Sequence, residues 1–326
     1  MRRRDFITVL GAAATWPITA SAQRPAMPVI GFLGYTSPVP YAHVIAAFRD
    51  GLKEAGYTEG ENIAIEWRWA QHEPDRLPAL AAELVGRQVA VIATSGTPAA
   101  LAAKAATTTI PIVFEIGFDP VTIGLVANLH RPDGNLTGVT NLSVEVEPKT
   151  LELLHELIPA ATSIALLVNP ANHELAGVLS RNAEAAASKL GLKLHIVHAS
   201  SDADFDAAFA TLSQLRVGAL MIGSDAFFVS RSGELARLTL SHGIPASFLF
   251  REFAVSGGLI SYGSSITEAH HLAGVYTGRI LAGAKPADLP VVRPTKLELI
   301  IDLKTAKALG MEIPPSILYR ANEVIE

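Results

Sequence analysis

The sequence predicts an α/β protein made of two doubly wound parallel-sheet lobes joined by a hinge that the chain crosses several times. Three observations predict it. From Val29 onward, short β-branched runs alternate with longer Ala/Leu-rich amphipathic runs, the pattern of strands and helices in a parallel sheet. This alternation completes one set near residue 140 and then begins again. The 326 residues are 49% hydrophobic and 17% charged, which supplies apolar surface for two cores.

The first set reads as strands at Val29 to Tyr35, Ile63 to Trp69, Val89 to Thr94, Pro111 to Ile116 and Leu136 to Thr140. Helices are expected near Tyr41 to Ala55, Asp75 to Gly86, Pro98 to Ala106 and Pro120 to Leu129. The second set reads as strands at Ile164 to Val168, Leu194 to His198, Ala219 to Ile222, Pro245 to Phe248 and Leu259 to Tyr262. Its helices fall near Glu147 to Leu157, Glu174 to Leu190, Asp204 to Leu215 and Ser232 to Ser241. A helix near Thr267 to Leu281, an extended stretch from Ala287 to Pro294, a strand Lys296 to Ile301 and a helix Leu303 to Leu309 close the chain. These late elements have no third core and are expected to return to both lobes. The expected division is residues 28–141 plus 264–292 for one lobe and 142–263 plus 293–326 for the other.

Residues 1–22 read as an export signal. Arg2, Arg3, Arg4, Asp5, Phe6 and Ile7 lead into an apolar stretch, and Ala20-Ser21-Ala22 offers a signal peptidase site with Gln23 first in the mature chain. The arginine pair resembles a twin-arginine signal, while an ordinary secretory leader also carries arginines. The apolar run is short and broken by Pro17, which argues against a membrane anchor. The expected location is therefore the periplasm. No cysteine is present, which removes disulfides, thiolate metal sites, a cysteine nucleophile and a lipid anchor on cysteine. The net charge of −5 becomes −7 when the leader takes three Arg and one Asp with it, so no nucleic-acid partner is expected.

In open parallel sheets ligands sit beyond the carboxyl ends of the strands, so each strand-to-helix turn is a candidate cleft wall. The first turn offers Tyr35, Thr36 and Ser37. The third offers Ser95, Gly96 and Thr97 before Pro98, a helix start whose free amides suit a carboxylate; Thr-Pro is equally a good helix start anywhere. The fourth carries Phe118 and Asp119, the acid being either a ligand contact or an N-cap. Thr140 and Asn141 lie where the chain first crosses between lobes. In the second set, Asn169, Asp225, Phe227 and Tyr262 hold equivalent places. Asp225 and Phe227 pair a charge with a ring, which suits a zwitterion with an apolar or aromatic side chain, unless Asp225 only caps the following helix.

Catalytic constellations are missing. His155-Glu156 and His173-Glu174 lack the second histidine of a zinc-protease helix, and there is no Gly-x-Ser-x-Gly elbow, P-loop or Gly-x-Gly-x-x-Gly. No cofactor and no metal is expected. His270 and His271, adjacent on a helix, read as surface residues, and Trp67 and Trp69, on one face of a strand, read as packing.

Several stretches together resemble the ABC-transporter substrate-binding family whose best-known members bind tryptophan or phenylalanine. They include Phe48-Arg49-Asp50-Gly51-Leu52, Gly96-Thr97-Pro98-Ala99-Ala100, Ile110-Pro111-Ile112-Val113-Phe114, Asp119-Pro120-Val121 and Asn135-Leu136-Thr137-Gly138. Lys149-Thr150-Leu151-Glu152-Leu153-Leu154, Arg251-Glu252-Phe253 and the tail from Ala284-Lys285-Pro286 through Ile313-Pro314-Pro315-Ser316 extend the likeness over nearly the whole mature chain. The resemblance implies a type I periplasmic-binding-protein fold, no enzymatic activity, and a monomer that closes on a small molecule and delivers it to an ABC permease in the inner membrane. It also implies that Ser95, Gly96 and Thr97 hold a ligand carboxylate and that Asp225 meets an ammonium. One departure is Phe118, where the family commonly has a small residue before Asp-Pro; a phenyl group there narrows the cleft. Two other roles fit the same residues less well: a sensor subunit for a membrane kinase or chemoreceptor, and an enzyme using Asp225 or Asp119 as acid or base.

Overall fold

The computed structural model describes residues 27–293 and 296–326; the stretch expected to be an export signal with its cleavage site, and Pro294 and Thr295, lie outside the described residues. In chain order the first half gives β1 (Val29–Gly34), α1 (Ala42–Glu54), β2 (Ala64–Trp69), α2 (Leu77–Gly86), β3 (Val91–Ser95), α3 (Thr97–Ala106), β4 (Ile112–Ile116) and β5 (Leu136–Thr140). These strands form one parallel sheet in the order β2-β1-β3-β4-β5. β1, β3 and β4 are almost continuously buried because helices cover both faces of the sheet.

The second half gives α4 (Ser143–Leu157), β6 (Ser163–Val168), α5 (His173–Leu190), β7 (Lys193–His198), α6 (Asp204–Leu215), β8 (Ala219–Ile222), α7 (Ala226–Val229) and α8 (Ser232–Ser241). β9 (Ala246–Phe248), α9 (Arg251–Val255), β10 (Ile260–Gly263), α10 (Ile266–Leu281), β11 (Glu298–Asp302), α11 (Leu303–Ala308), α12 (Pro315–Arg320) and β12 (Glu323–Ile325) follow. The second sheet runs β12-β11-β10-β9-β8-β6-β7, with β10 and β11 antiparallel and the other pairs parallel. The chain passes from the first sheet to the second after β5 and returns after β10 to lay α10 against α1. Gly51 and Gly274 make that approach possible, since a methyl on either would collide with the backbone of the other helix. It passes over once more after Val292, whose backbone extends the edge of β5.

Two expectations fail in instructive ways. No helix forms over Pro120 to Leu129. The Asp119 carboxylate accepts from Val121 N at 2.8 Å and Thr122 N at 3.0 Å, Gly124 adopts φ +67°, and the Asn128 side chain accepts from His130 N at 2.7 Å. Asp119 thus caps a first turn, but Gly124 in the left-handed region ends it before a helix propagates. His270 is not on the surface. It is 1% exposed on the buried stripe of α10 with Ile266, Ala273 and Thr277, whereas His271 is partly exposed beside Glu54.

Candidate functional site

In both sheets the strand order reverses at one place, between β1 and β3 in the first and between β6 and β8 in the second. The carboxyl ends flanking such a switch point diverge and leave a crevice. The two crevices face each other and enclose an inner chamber of about 60 Å³. It opens into an outer chamber of about 380 Å³, and the two share Tyr35, Thr97, Pro98, Phe118 and Asn172. The lobes touch around it: Tyr41 and Val44 of the first lobe share an apolar cluster with Phe248 and Phe250 of the second, and the His72 and Phe227 rings lie 5.5 Å apart.

The polar side chains lining the inner chamber include Ser95, Thr97, Glu115, Asn141, Ser143, Asn172 and Ser224. Glu115 is the one acidic or basic side chain among the described residues lining it. This acid projects from the end of β4 and is 4% exposed. Its Oε1 accepts from Asn141 Nδ2 at 2.8 Å, and its Oε2 lies 3.5 Å from His270 Nε2. Burial pushes the Glu115 carboxyl up to about 8 against the pull of the Asn141 amide, and burial holds His270 down at about 4. His270 Nδ1 lies 2.9 Å from the Ile266 carbonyl, which only accepts, so Nδ1 carries the proton. Nε2 is then an acceptor and takes the Ser95 hydroxyl at 2.9 Å. Ser95 consequently presents lone pairs, not a donor, to the chamber. Donors come instead from the start of α3, where Gly96 sits at φ +94° and no side chain caps the first turn.

The same acid is tied to the crossings. Asn141, which donates to Glu115, accepts from Ser143 N at 3.0 Å, and its carbonyl accepts from Ser264 Oγ at 3.1 Å. The first two interlobe crossings are thus pinned to each other one residue away from the chamber's carboxyl group.

Of the residues nominated from sequence, Tyr35, Ser95, Gly96, Thr97, Phe118 and Asn141 line the inner chamber. Thr36, Ser37, Asp119, Thr140, Asn169, Asp225, Phe227 and Tyr262 line neither chamber. Asp119 is occupied in its own turn and by Arg293 at 3.2 Å. Thr140 donates to the Phe118 carbonyl at 2.7 Å. Asp225 is the main correction. Its Oδ1 accepts from Asn169 Nδ2 and from Phe227 N, each at 2.9 Å, and its Oδ2 accepts from Asn172 Nδ2 at 3.0 Å. It caps α7 and holds two turns together. Phe227 belongs to the second lobe's core, its ring 5.6 Å from that of Phe205. Trp67 and Trp69 stack on each other beside Phe32 as packing.

Residues not nominated include Tyr41, Glu115, Ser143, Asn172, Ser224 and Phe250. Glu115 left a readable signal: a single acid inside the apolar run of a doubly covered strand is costly to bury without a purpose. Tyr41 and Phe250 left a weaker one: they precede α1 and α9 in strand-to-helix turns, where the turn rule applies, but large aromatic rings there read equally as core.

Two hinged α/β lobes around a partly polar interlobe chamber define a bilobal solute-binding protein. The family model described as "ABC transporter substrate binding protein" matches residues 33–325, and the chain belongs to that family, which binds substrates and is not one of enzymes. It is 29% identical over 266 residues, 81% of this chain and 76% of the other, to a tyrosine-binding protein of Clostridioides difficile. A conserved domain protein from Vibrio cholerae superposes with TM-score 0.81 at 28% identity, over 91% of this chain and 99% of that one. An L-Trp complex from Streptococcus pneumoniae gives 0.78 at 26% identity with the same coverages. A ligand-free, open substrate-binding protein from Clostridium difficile gives 0.64 at 25% identity, again with those coverages. At matched coverage and near-equal identity, the chain superposes more fully on the Trp complex than on the open form. The type I periplasmic-binding-protein fold expected from the sequence is the one found.

Proposed function

We propose that the chain captures an α-amino acid with an apolar or aromatic side chain between its lobes and delivers it to an ABC permease. The observation that carries this reading is the composition of the inner chamber: one carboxyl group, no lysine or arginine among the described lining residues, and an uncapped helix start beside it. An ammonium group meets Glu115 and the Ser95 lone pairs, and a carboxylate meets the first amides of α3 and the Thr97 hydroxyl. Tyr35, Tyr41, Leu175, Val229, Phe250 and Ile266 exclude water around the pair and strengthen both contacts. Asp225 acts one step behind by holding Asn172 against the chamber. The printed ligands of the relatives, tyrosine and tryptophan, support the same class.

Delivery follows from closure: only the ligand-closed form presents both lobes to the permease in a fixed relation, and the protein works as an exported periplasmic monomer. No helix among the described residues is long and apolar enough to cross a membrane. Mass spectrometry of the exported protein should begin at Gln23. A thermal-shift screen of the mature protein against amino acids, aromatic acids, nucleosides and sugars tests the ligand class, because a ligand at about 100 times its Kd stabilises by about 2.7 kcal/mol. The reading expects L-Trp, L-Tyr or L-Phe to shift the transition. Shifts from sugars or nucleosides alone would overturn it.

A further inference from the structure

The outer chamber carries one further inference, which rests on the amino-acid reading above. The inner chamber's free space of about 60 Å³ is well below the roughly 150 Å³ of a cavity that takes up benzene. It has room for the charged head of an amino acid and not for a ring as well. The outer chamber offers about 380 Å³. Its walls are apolar: Leu77 and Pro78 at the start of α2, Leu101 and Ala102 on α3, and Ala171 from the other lobe. Because Tyr35, Thr97, Pro98, Phe118 and Asn172 border both spaces, a single molecule extends from one to the other between side chains.

The geometry points to the outer chamber as the side-chain subsite: the cargo's head lies between Glu115 and the start of α3, and its apolar side chain runs outward past Phe118. This direction is opposite to the one that a ring-to-ring contact with Phe227 would need. It also sets a selectivity. The side chain's far end approaches Pro78, His173 and Glu174, all exposed at the mouth, so an extension there enters solvent. An addition on the α-nitrogen meets buried Glu115 and Asn141 instead. The class of cargo is therefore α-amino acids with long apolar or aryl side chains, including those lengthened at the para position.

Titration calorimetry of the mature protein with L-tyrosine, O-benzyl-L-tyrosine, N-acetyl-L-tyrosine and L-alanine tests this. O-benzyl-L-tyrosine should bind within tenfold of L-tyrosine, and N-acetyl-L-tyrosine should lose more than tenfold. Leu101→Trp, which fills the outer chamber, should weaken both unblocked tyrosines more than tenfold and leave any L-alanine affinity within threefold; if circular dichroism shows it misfolded, Ala102→Phe takes its place. If L-tyrosine binds but its O-benzyl ether loses more than tenfold, or if filling the chamber costs less than tenfold, the subsite is wrong and the amino-acid reading stands. If the wild-type protein binds none of the aromatic amino acids, both fail together.

Discussion

The two walls of the cleft are built from equivalent turns after equivalent strands, yet they spend their polar groups differently. In the second lobe Asp225 lines neither chamber and is consumed by Asn169, Asn172 and the α7 amide, and buried Glu147, also away from both chambers, accepts from Ser224 N with one oxygen. In the first lobe Glu115 borders the chamber, with one oxygen held by Asn141, the Gly96 N–H also pulling on the carboxyl, and Oε2 beside a histidine nitrogen that carries no proton. A buried acid that lines no cavity supports architecture, while one that borders a chamber is placed to meet a ligand. The second wall is therefore a prefabricated closing face, and the first reads the cargo.

Paired substitutions break this comparison if it is wrong. The largest effect is expected from Asp225→Ala, which strands the buried Asn169 amide and the part-buried Asn172 amide and uncaps α7; denaturant unfolding should show a loss of about 3 kcal/mol or more. Affinity per folded molecule should change by less than tenfold. Glu115→Gln should do the reverse, weakening an amino-acid ligand by about 1.5 to 3 kcal/mol in calorimetry while the unliganded protein unfolds no more easily. If Asp225→Ala abolishes binding in a fully folded protein, the roles of the walls are exchanged.

A smaller effect concerns pH. Glu115 and Glu147 both have folded-state values raised by burial to about 8 from an ordinary 4.5. Between those values the folded chain holds more protons than the unfolded one, so stability falls as pH rises, by about 1.4 kcal/mol per unit for each carboxyl. His270 works in the other direction: its folded value is lowered from 6.5 to about 4, and stability rises with pH across that interval. Glu147→Gln and Glu115→Gln should each flatten the decline between pH 6.5 and 8 in thermal unfolding scans. An unchanged slope in both variants would show that neither group is protonated in the free protein.

The fold was legible because a doubly wound sheet announces itself in alternation, and the turn rule placed Tyr35, Ser95, Gly96 and Thr97 on the chamber without knowledge of any contact. The rule failed one turn at a time where side chains satisfy their own backbone. Asp119 and Asp225 lie in the right turns and face inward to their own amides, a choice made by bond geometry that spacing does not encode. The helix expected after Pro120 stops at its first turn because Gly124 takes a left-handed conformation. His270 was readable in principle, since it falls on the stripe formed by Ile266, Ala273 and Thr277, but a neighbouring histidine masked the period. Phe250 also lies in a strand-to-helix turn, between β9 and α9, but its large ring, packed in the second lobe's core, reads equally as core packing.

The central claim is that a buried, proton-bearing Glu115 gives up its proton to meet the ammonium of a captured amino acid. Calorimetric titration of the best amino-acid ligand at pH 7, in two buffers with different ionisation enthalpies, measures that exchange directly. The account predicts release of a substantial fraction of a proton per ligand bound by the wild-type protein and almost none by Glu115→Gln. A binding enthalpy independent of buffer in the wild-type protein, or equal release from the variant, would contradict it.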